Sequence, residues 1–182
     1  MKKVLKTISF GLSTDSIDLA LREIADFQKQ LEECMMELIK YLVAYGQEVA
    51  KMNVYQMDAV FTGELADNGI SGFYDTEKRC GVVYTDKPYA IFVEYGTGIV
   101  GAEGPKYPGK KADGYEYDYH DHGHSGWWYP AEWGWWIPKE GKHAGEMMAW
   151  TKGMPSRPFM YNTFRELERI AKEKGIDFFT IR

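Results

Sequence analysis

Tyr89-Ala90-Ile91-Phe92-Val93-Glu94-Tyr95-Gly96-Thr97 is the stretch on which the reading of this chain turns. As a continuous apolar run it fits a buried strand. Its flanks argue otherwise: Pro88 suits the first turn of a helix, Asp86 can cap it and Gly96 suits its end. A short helix is the expectation. Glu94 sits among apolar neighbours and is the carboxylate expected to be partly buried. A lone buried acid can serve as a general acid, but a structural arginine is its commoner partner. Arg157 is the candidate if this stretch meets a second one, Gly153-Met154-Pro155-Ser156-Arg157-Pro158-Phe159-Met160. There Pro158 starts a helix predicted over Phe159 to Lys174. Met160, Phe164, Leu167 and Ala171 line one face of it, and Gly175 is its expected stop. Ile176 to Ile181 reads as a last strand.

Upstream, a long helical pattern runs from Asp15 to Met52. Ile17, Leu21, Ile24, Leu31, Met35, Leu38, Leu42, Tyr45, Val49 and Met52 follow alternating steps of four and three, broken only by Gln28. Phe27, Cys34 and Tyr41 broaden the stripe. The pattern therefore reads as an amphipathic helix lying on a sheet; a self-associating coiled coil, which keeps a narrower seam, is the alternative. At about 1.5 Å per residue this helix extends roughly 55–60 Å. A compact domain of this size has a radius of gyration of about 16 Å. Either the helix bends, with Gly46 the favoured point, or its end packs on a neighbouring subunit. Before it, Lys3 to Phe10 reads as a first strand, and Gly11, Ser13 and Thr14 form a turn able to cap the helix. After it, Val60 to Leu65 gives a short entry into a sheet. Ile70 to Tyr74 and Arg79 to Tyr84 form an antiparallel pair joined around Asp75-Thr76-Glu77-Lys78.

The 182 residues are one domain's worth, and a 45% hydrophobic share supplies a core. The fold class read from these elements is α+β over 1–182. A long N-terminal helix packs on a small, mainly antiparallel sheet, followed by a C-terminal helix and a final strand. An irregular Gly/Tyr/Trp-rich insert occupies about 98–153. With 22 basic and 27 acidic residues the net charge is −5, which argues against a nucleic-acid grip built from clustered Lys and Arg. Cys34 and Cys80 are far apart and form neither a metal spacing nor a disulfide framework. No signal-peptide core follows the basic N-terminus, and no run approaches the ~20 apolar residues of a membrane span. These features point to a protein made in a cytosol with no membrane partner.

Four local patterns carry possible chemistry. Gly104-Pro105-Lys106-Tyr107-Pro108-Gly109-Lys110-Lys111 mimics a phosphate-binding loop, but Lys111 stands where Ser or Thr is needed and no helical pattern follows. His120, His122 and His124 alternate with Asp118 in register. Imidazoles two apart can share a zinc ion, but three on one extended segment diverge from a single tetrahedral centre, so a polar loop is expected. Trp127, Trp128, Trp133, Trp135 and Trp136 suit a protein interface or a satellite core, with sugar stacking as the alternative. The acidic pairs of the long helix read as solvated faces. No nucleophile–base pair is evident, so an enzyme is not expected and no cofactor or metal is implied. The competing classes are a zinc-dependent enzyme using the histidines and an aromatic carbohydrate-binding module.

Three stretches in order carry a family resemblance. A Thr-Gly-x-Leu step follows the long helix at Thr62-Gly63-Glu64-Leu65. A Tyr-Ala-x-x-Val-Glu-aromatic-Gly-Thr element follows at Tyr89 to Thr97, and a Pro-x-x-Pro-Phe entry to the last helix at Pro155 to Phe159. The chain resembles the neck or tail-completion (minor tail component, head–tail joining) family of tailed bacteriophages. Ala59 departs from the proline common before the Thr-Gly step, and the insert is longer than in compact members. The resemblance implies a non-enzymatic structural protein of the virion, forming an oligomeric ring at the head–tail junction or tail end. Its partners would be copies of itself and neighbouring connector and tail proteins, with DNA passing through the ring without specific binding. Assembly would take place in the host cytoplasm. Thr62, Gly63, Glu94, Gly96, Thr97, Pro155, Arg157, Pro158 and Phe159 would then act by shaping the fold.

Overall fold

In the computed structural model, which describes residues 7–59, 63–118 and 120–178, α1 runs unbroken from Thr14 to Gln56. Its start is the capping turn the sequence suggested. The Ser13 hydroxyl accepts from Ser16 N at 3.3 Å, and the Ser13 carbonyl opens the helical ladder with Ile17 N at 3.0 Å. The expected first strand is not formed where it can be described: Thr7 to Phe10 has no regular structure, and Lys3 to Lys6 lies outside the described residues. Thr62 lies outside them as well.

The main remaining elements are α2 (Glu64–Asn68), β1 (Ile70–Asp75), β2 (Cys80–Thr85), α3 (Ala90–Tyr95), α4 (Gly98–Glu103), β3 (Trp127–Pro130), β4 (Met148–Thr151) and α5 (Phe159–Phe178), with a short 3-10 turn at Gly123–Ser125 and a two-residue strand at Gly153–Met154. The architecture is α+β, with two separate two-stranded antiparallel sheets, β1–β2 and β3–β4, where one was expected. α5 starts at Phe159 as predicted. Gly175 does not stop it: the glycine is not among those with positive φ, it keeps a helical backbone, and the helix continues to Phe178. The last strand expected from Ile176 is therefore helical as far as it is described.

The chain divides into two compact units. The first gathers the described residues of Met1–Lys51, Ile70–Tyr84 and Thr163–Arg182. Here β1 and β2 approach α1 so closely that a Cβ at Gly72 or Gly81 would stand 2.7 or 2.5 Å from Val43. α5 runs antiparallel to α1. Glu166 accepts from the Tyr45 hydroxyl at 3.0 Å, Leu167 and Val83 close over Gly46, and the Phe178 ring lies 5.4 Å from that of Tyr41. Val43, Val49, Ala50 and Ile170 are buried in this unit.

The second unit gathers the described residues of Met52–Gly69 and Thr85–Asn162. Val54, Leu65, Ala66, Ala90, Val93, Met148 and Phe159 are its buried apolar residues. The insert holds more regular structure than its composition suggested. α4 follows Thr97 directly, and β3 pairs with β4 in the register Trp127 to Thr151 through Pro130 to Met148. Trp135 N donates to Met148 O at 2.9 Å and Met148 N to Trp136 O at 2.8 Å, so the chain returning from β3 is satisfied by the same strand.

Candidate functional site

The two motifs do meet, inside the second unit. Thr97 bridges Met154 and Gly98 bridges Gly153 in antiparallel sense. The Thr97 hydroxyl accepts from Met154 N at 3.2 Å, the Ser156 hydroxyl donates to Glu94 O at 2.7 Å, and Arg157 N donates to Val93 O at 2.9 Å. This contact requires glycine. Gly96 has φ 83°, where side chains are strained, and a Cβ there would sit 2.7 Å from Ser156 N; at Gly153, φ 103°, it would sit 1.9 Å from Thr97 O. Pro155 lies between the bridge and α5, leaving the Pro158-Phe159 entry to point the helix.

Glu94 sits at the centre of this junction, buried as predicted but differently employed. Its Oε2 accepts from Met160 N at 2.9 Å; its Oε1 accepts from Tyr161 N at 3.0 Å and from the Tyr107 hydroxyl at 2.9 Å. The carboxylate thus caps the first turn of α5, whose amides have no partner within the helix. Burial pushes its carboxyl above the ordinary glutamate range, against the lowering pull of the Met160 and Tyr161 amides and the Tyr107 hydroxyl. Burial, with the Glu94 charge next, drives the Tyr107 phenol far up; burial pushes Tyr115 up to about 12. Both carboxylate oxygens are occupied by the fold.

Arg157 does not pair with Glu94. Its Nε donates to Met57 O at 3.1 Å and its Nη1 lies 3.8 Å from the Met154 sulfur. The amides of α5 reach the carboxylate first, and the guanidinium turns to a free carbonyl just past α1. It helps line a cleft of about 960 Å³, walled by Tyr89, Phe92, Trp127, Tyr129 and Met154 among others. Glu64, on its margin, is engaged by Lys87 Nζ at 2.5 Å. Gly63 carries φ 81° at the start of α2. The sequence did not foretell this cleft, because its walls come from separate stretches that only the fold assembles.

Tyr95 of α3 and Tyr107, Tyr115 and Tyr117 of the insert form a chain of edge-on rings with centroids 4.7–5.6 Å apart, ended by Lys111 over Tyr117 at 3.9 Å. Lys110, in the loop that mimics a phosphate-binding site, is exposed and pairs with Asp113. His122 donates to or accepts from Asp118 across 2.8 Å and stacks on Trp127 at 4.5 Å. His120 stands edge-on to His122, and His143 pairs with Glu146. Among the described residues no group of three or more His, Cys, Asp or Glu side chains is placed to hold a metal ion. No described helix is long and apolar enough to cross a membrane.

The six insert tryptophans fall into three settings. Trp127 is half-buried beside His122. Trp128 packs against Trp136 and Trp150, each at 5.3 Å, on the open face of the β3–β4 pair. Trp133 and Trp135 stand 86% and 85% exposed.

Against protein-family models, curated proteins and solved structures, the chain finds no match.

Proposed function

We propose that this protein is a structural component of a tailed-phage virion, a non-enzymatic ring subunit at the head–tail junction or tail end. The observation that carries the reading is the exposed tryptophan group. Rings of this size bury roughly 150–250 Å² each when covered. Trp133 and Trp135 are almost fully in water, and Trp128 and Trp136 are half-exposed. Soluble monomers seldom leave so large an apolar patch uncovered unless it serves contact. The β3–β4 pair satisfies the backbone around these rings without covering them, so a partner is what remains to cover them. Two further points support the reading. The residues of the second and third resembling stretches are occupied with holding α3, the chain before α5 and the first turn of α5 together. Glu94, the one buried carboxylate among the described residues, has both oxygens engaged by the fold.

Copies of the chain and adjoining connector and tail proteins are the partners of this reading, with DNA passing without base contacts through the ring. Light scattering and native mass measurement of the full chain test it. Rings of fixed stoichiometry are expected, alone or on addition of neck partners. Trp133→Ala with Trp135→Ala should leave thermal unfolding unchanged and impair joining of heads to tails. A protein that stays monomeric alone and with such partners would refute the reading.

A further inference from the structure

The seam that α5 fills in the first unit does not end where α5 ends. Leu38, Tyr41 and Tyr45 meet α5 near Gly175, Phe178 and Glu166. Towards the N-terminus the same spacing continues through Leu31, Ile24, Leu21 and Ile17, and these four side chains are 40%, 42%, 58% and 38% exposed. A stripe that accepts a helix over one half of its length offers the same geometry over the other. We infer that the stretch Ile17–Leu31 of α1 packs against the same stretch of a second copy of this chain, parallel and in register. The inference rests on the ring reading above and names the surface through which copies would join.

Polar and charged positions choose the occupant and its direction. Gln28 is the one polar residue at a seam position, and a polar residue there fixes register and partner number at some cost in stability. In a parallel pair Gln28 faces Gln28, and the two amides can bond each other. Flanking positions then set Phe27 against Glu32, with no like charges opposed. An antiparallel pair would set Gln28 against Ile24, leaving an amide among apolar groups, and would bring Asp18 beside Glu32, whose charge Arg79 only partly offsets at a half-exposed site. Exposed Ala25 and half-buried Phe27 widen the stripe, while Ala20 beside them is already covered within the subunit. Parallel helices in register are related by rotation about one axis, which is the symmetry of a closed ring.

Leu21→Glu with Ile24→Glu in the full chain tests this. Both positions are exposed in the subunit, so far-ultraviolet circular dichroism and melting temperature should not change. The dissociation midpoint of the assembly, read by sedimentation, should rise about a hundredfold or more, two buried apolar side chains each being worth tenfold or more. A wild type that assembles and a variant that assembles equally well would overturn the inference and leave the ring reading standing. A wild type that never assembles would overturn both. A second measurement does not depend on charge. In a Cys34→Ser, Cys80→Ser background, Ile24→Cys should form an intermolecular disulfide on mild oxidation, whereas Leu19→Cys, on the outer face, should not. Equal cross-linking at both positions would show that the seam is not the contact.

Discussion

The two halves of α1 carry one spacing and meet opposite fates. From Leu38 to Val49 the helix is enclosed: β1–β2 lies on Val43, α5 lies along Tyr41 and Tyr45, and Val49 and Ala50 are buried. From Ile17 to Leu31 the same steps of four and three face water. Hydrophobic periodicity therefore specifies a face, not its partner. The local pattern makes the helix, while the hairpin and α5, arriving from distant parts of the sequence, decide how much of it is covered. The uncovered half is where a second chain has something to gain.

The largest effect should come from loosening the start of α5, the helix that makes the enclosed half what it is. Phe159 is 1% exposed, and Phe159→Ala should cost about 3–5 kcal/mol, read as a sharp fall in the urea midpoint. A change within error would show that the Pro-Phe entry serves contact and not folding. The next effect compares the halves directly. Val43→Ala removes two methyl groups from the enclosed half and should cost about 2–3 kcal/mol. Leu21→Ala, in the open half, should stay within about 0.5 kcal/mol when the subunit is measured below its assembly concentration. Equal costs would mean that the open half is covered within the subunit after all, and the contrast would collapse.

Much of this was readable in advance, and the failures have physical reasons. α1, the β1–β2 pair, the short helix at α3 and the start of α5 follow from local signals: seam spacing, turn residues, Pro158 and Gly96. The β3–β4 pair was not readable. β3 is Trp-Trp-Tyr-Pro, without alternation, and its partner lies beyond a long connection, so the pairing is a contact no local window contains. Glu94 was correctly singled out as buried, but its partner was chosen by opposite charge. The signal that could have found the right one is at the other end. α5 begins after Pro158, which has no side-chain acceptor, so its first amides need an oxygen from elsewhere. The continuation of α5 through Gly175 shows that a glycine permits the left-handed stop without imposing it, and no other stop signal follows it in the described chain.

That cap gives a pH-dependent way to sharpen the comparison. Burial raises the Glu94 carboxyl above its ordinary value of 4.5 in the folded protein. Between that value and the raised one, the folded state holds more protons than the unfolded state, so the contribution of this group to stability falls as pH rises. Glu94→Gln should remove that fall from the profile. At neutral pH it should cost about 1–2 kcal/mol, because an amide cannot accept from Met160 N and Tyr161 N on both sides. The stability difference between wild type and variant, followed across the acid range, is the measurement. A difference that does not change with pH would mean that Glu94 has the same proton affinity folded and unfolded.

The smallest expected effect sits at the border between the two halves of α1. Arg79, at the end of the β1–β2 turn, donates from Nη2 to Glu32 Oε1 at 2.7 Å, with both side chains about half exposed. This contact ties the hairpin turn to α1 one position beyond Leu31, and water screens it. Exposed pairs contribute roughly 0.2–1 kcal/mol and weaken in salt, so Glu32→Ala should lower stability by less than about 1 kcal/mol, and less again at high ionic strength. Arg79 also has φ 52°, a conformation that glycine adopts without strain. Arg79→Gly loses the same pair but relieves the backbone, so it should be neutral or slightly stabilising where Glu32→Ala is not. If both substitutions cost the same, the turn is not strained at Arg79 and the ion pair alone sets the balance there. If Glu32→Ala costs several times more than expected, the border is better protected from water than its exposure indicates, and the open half begins nearer the N-terminus than Leu31.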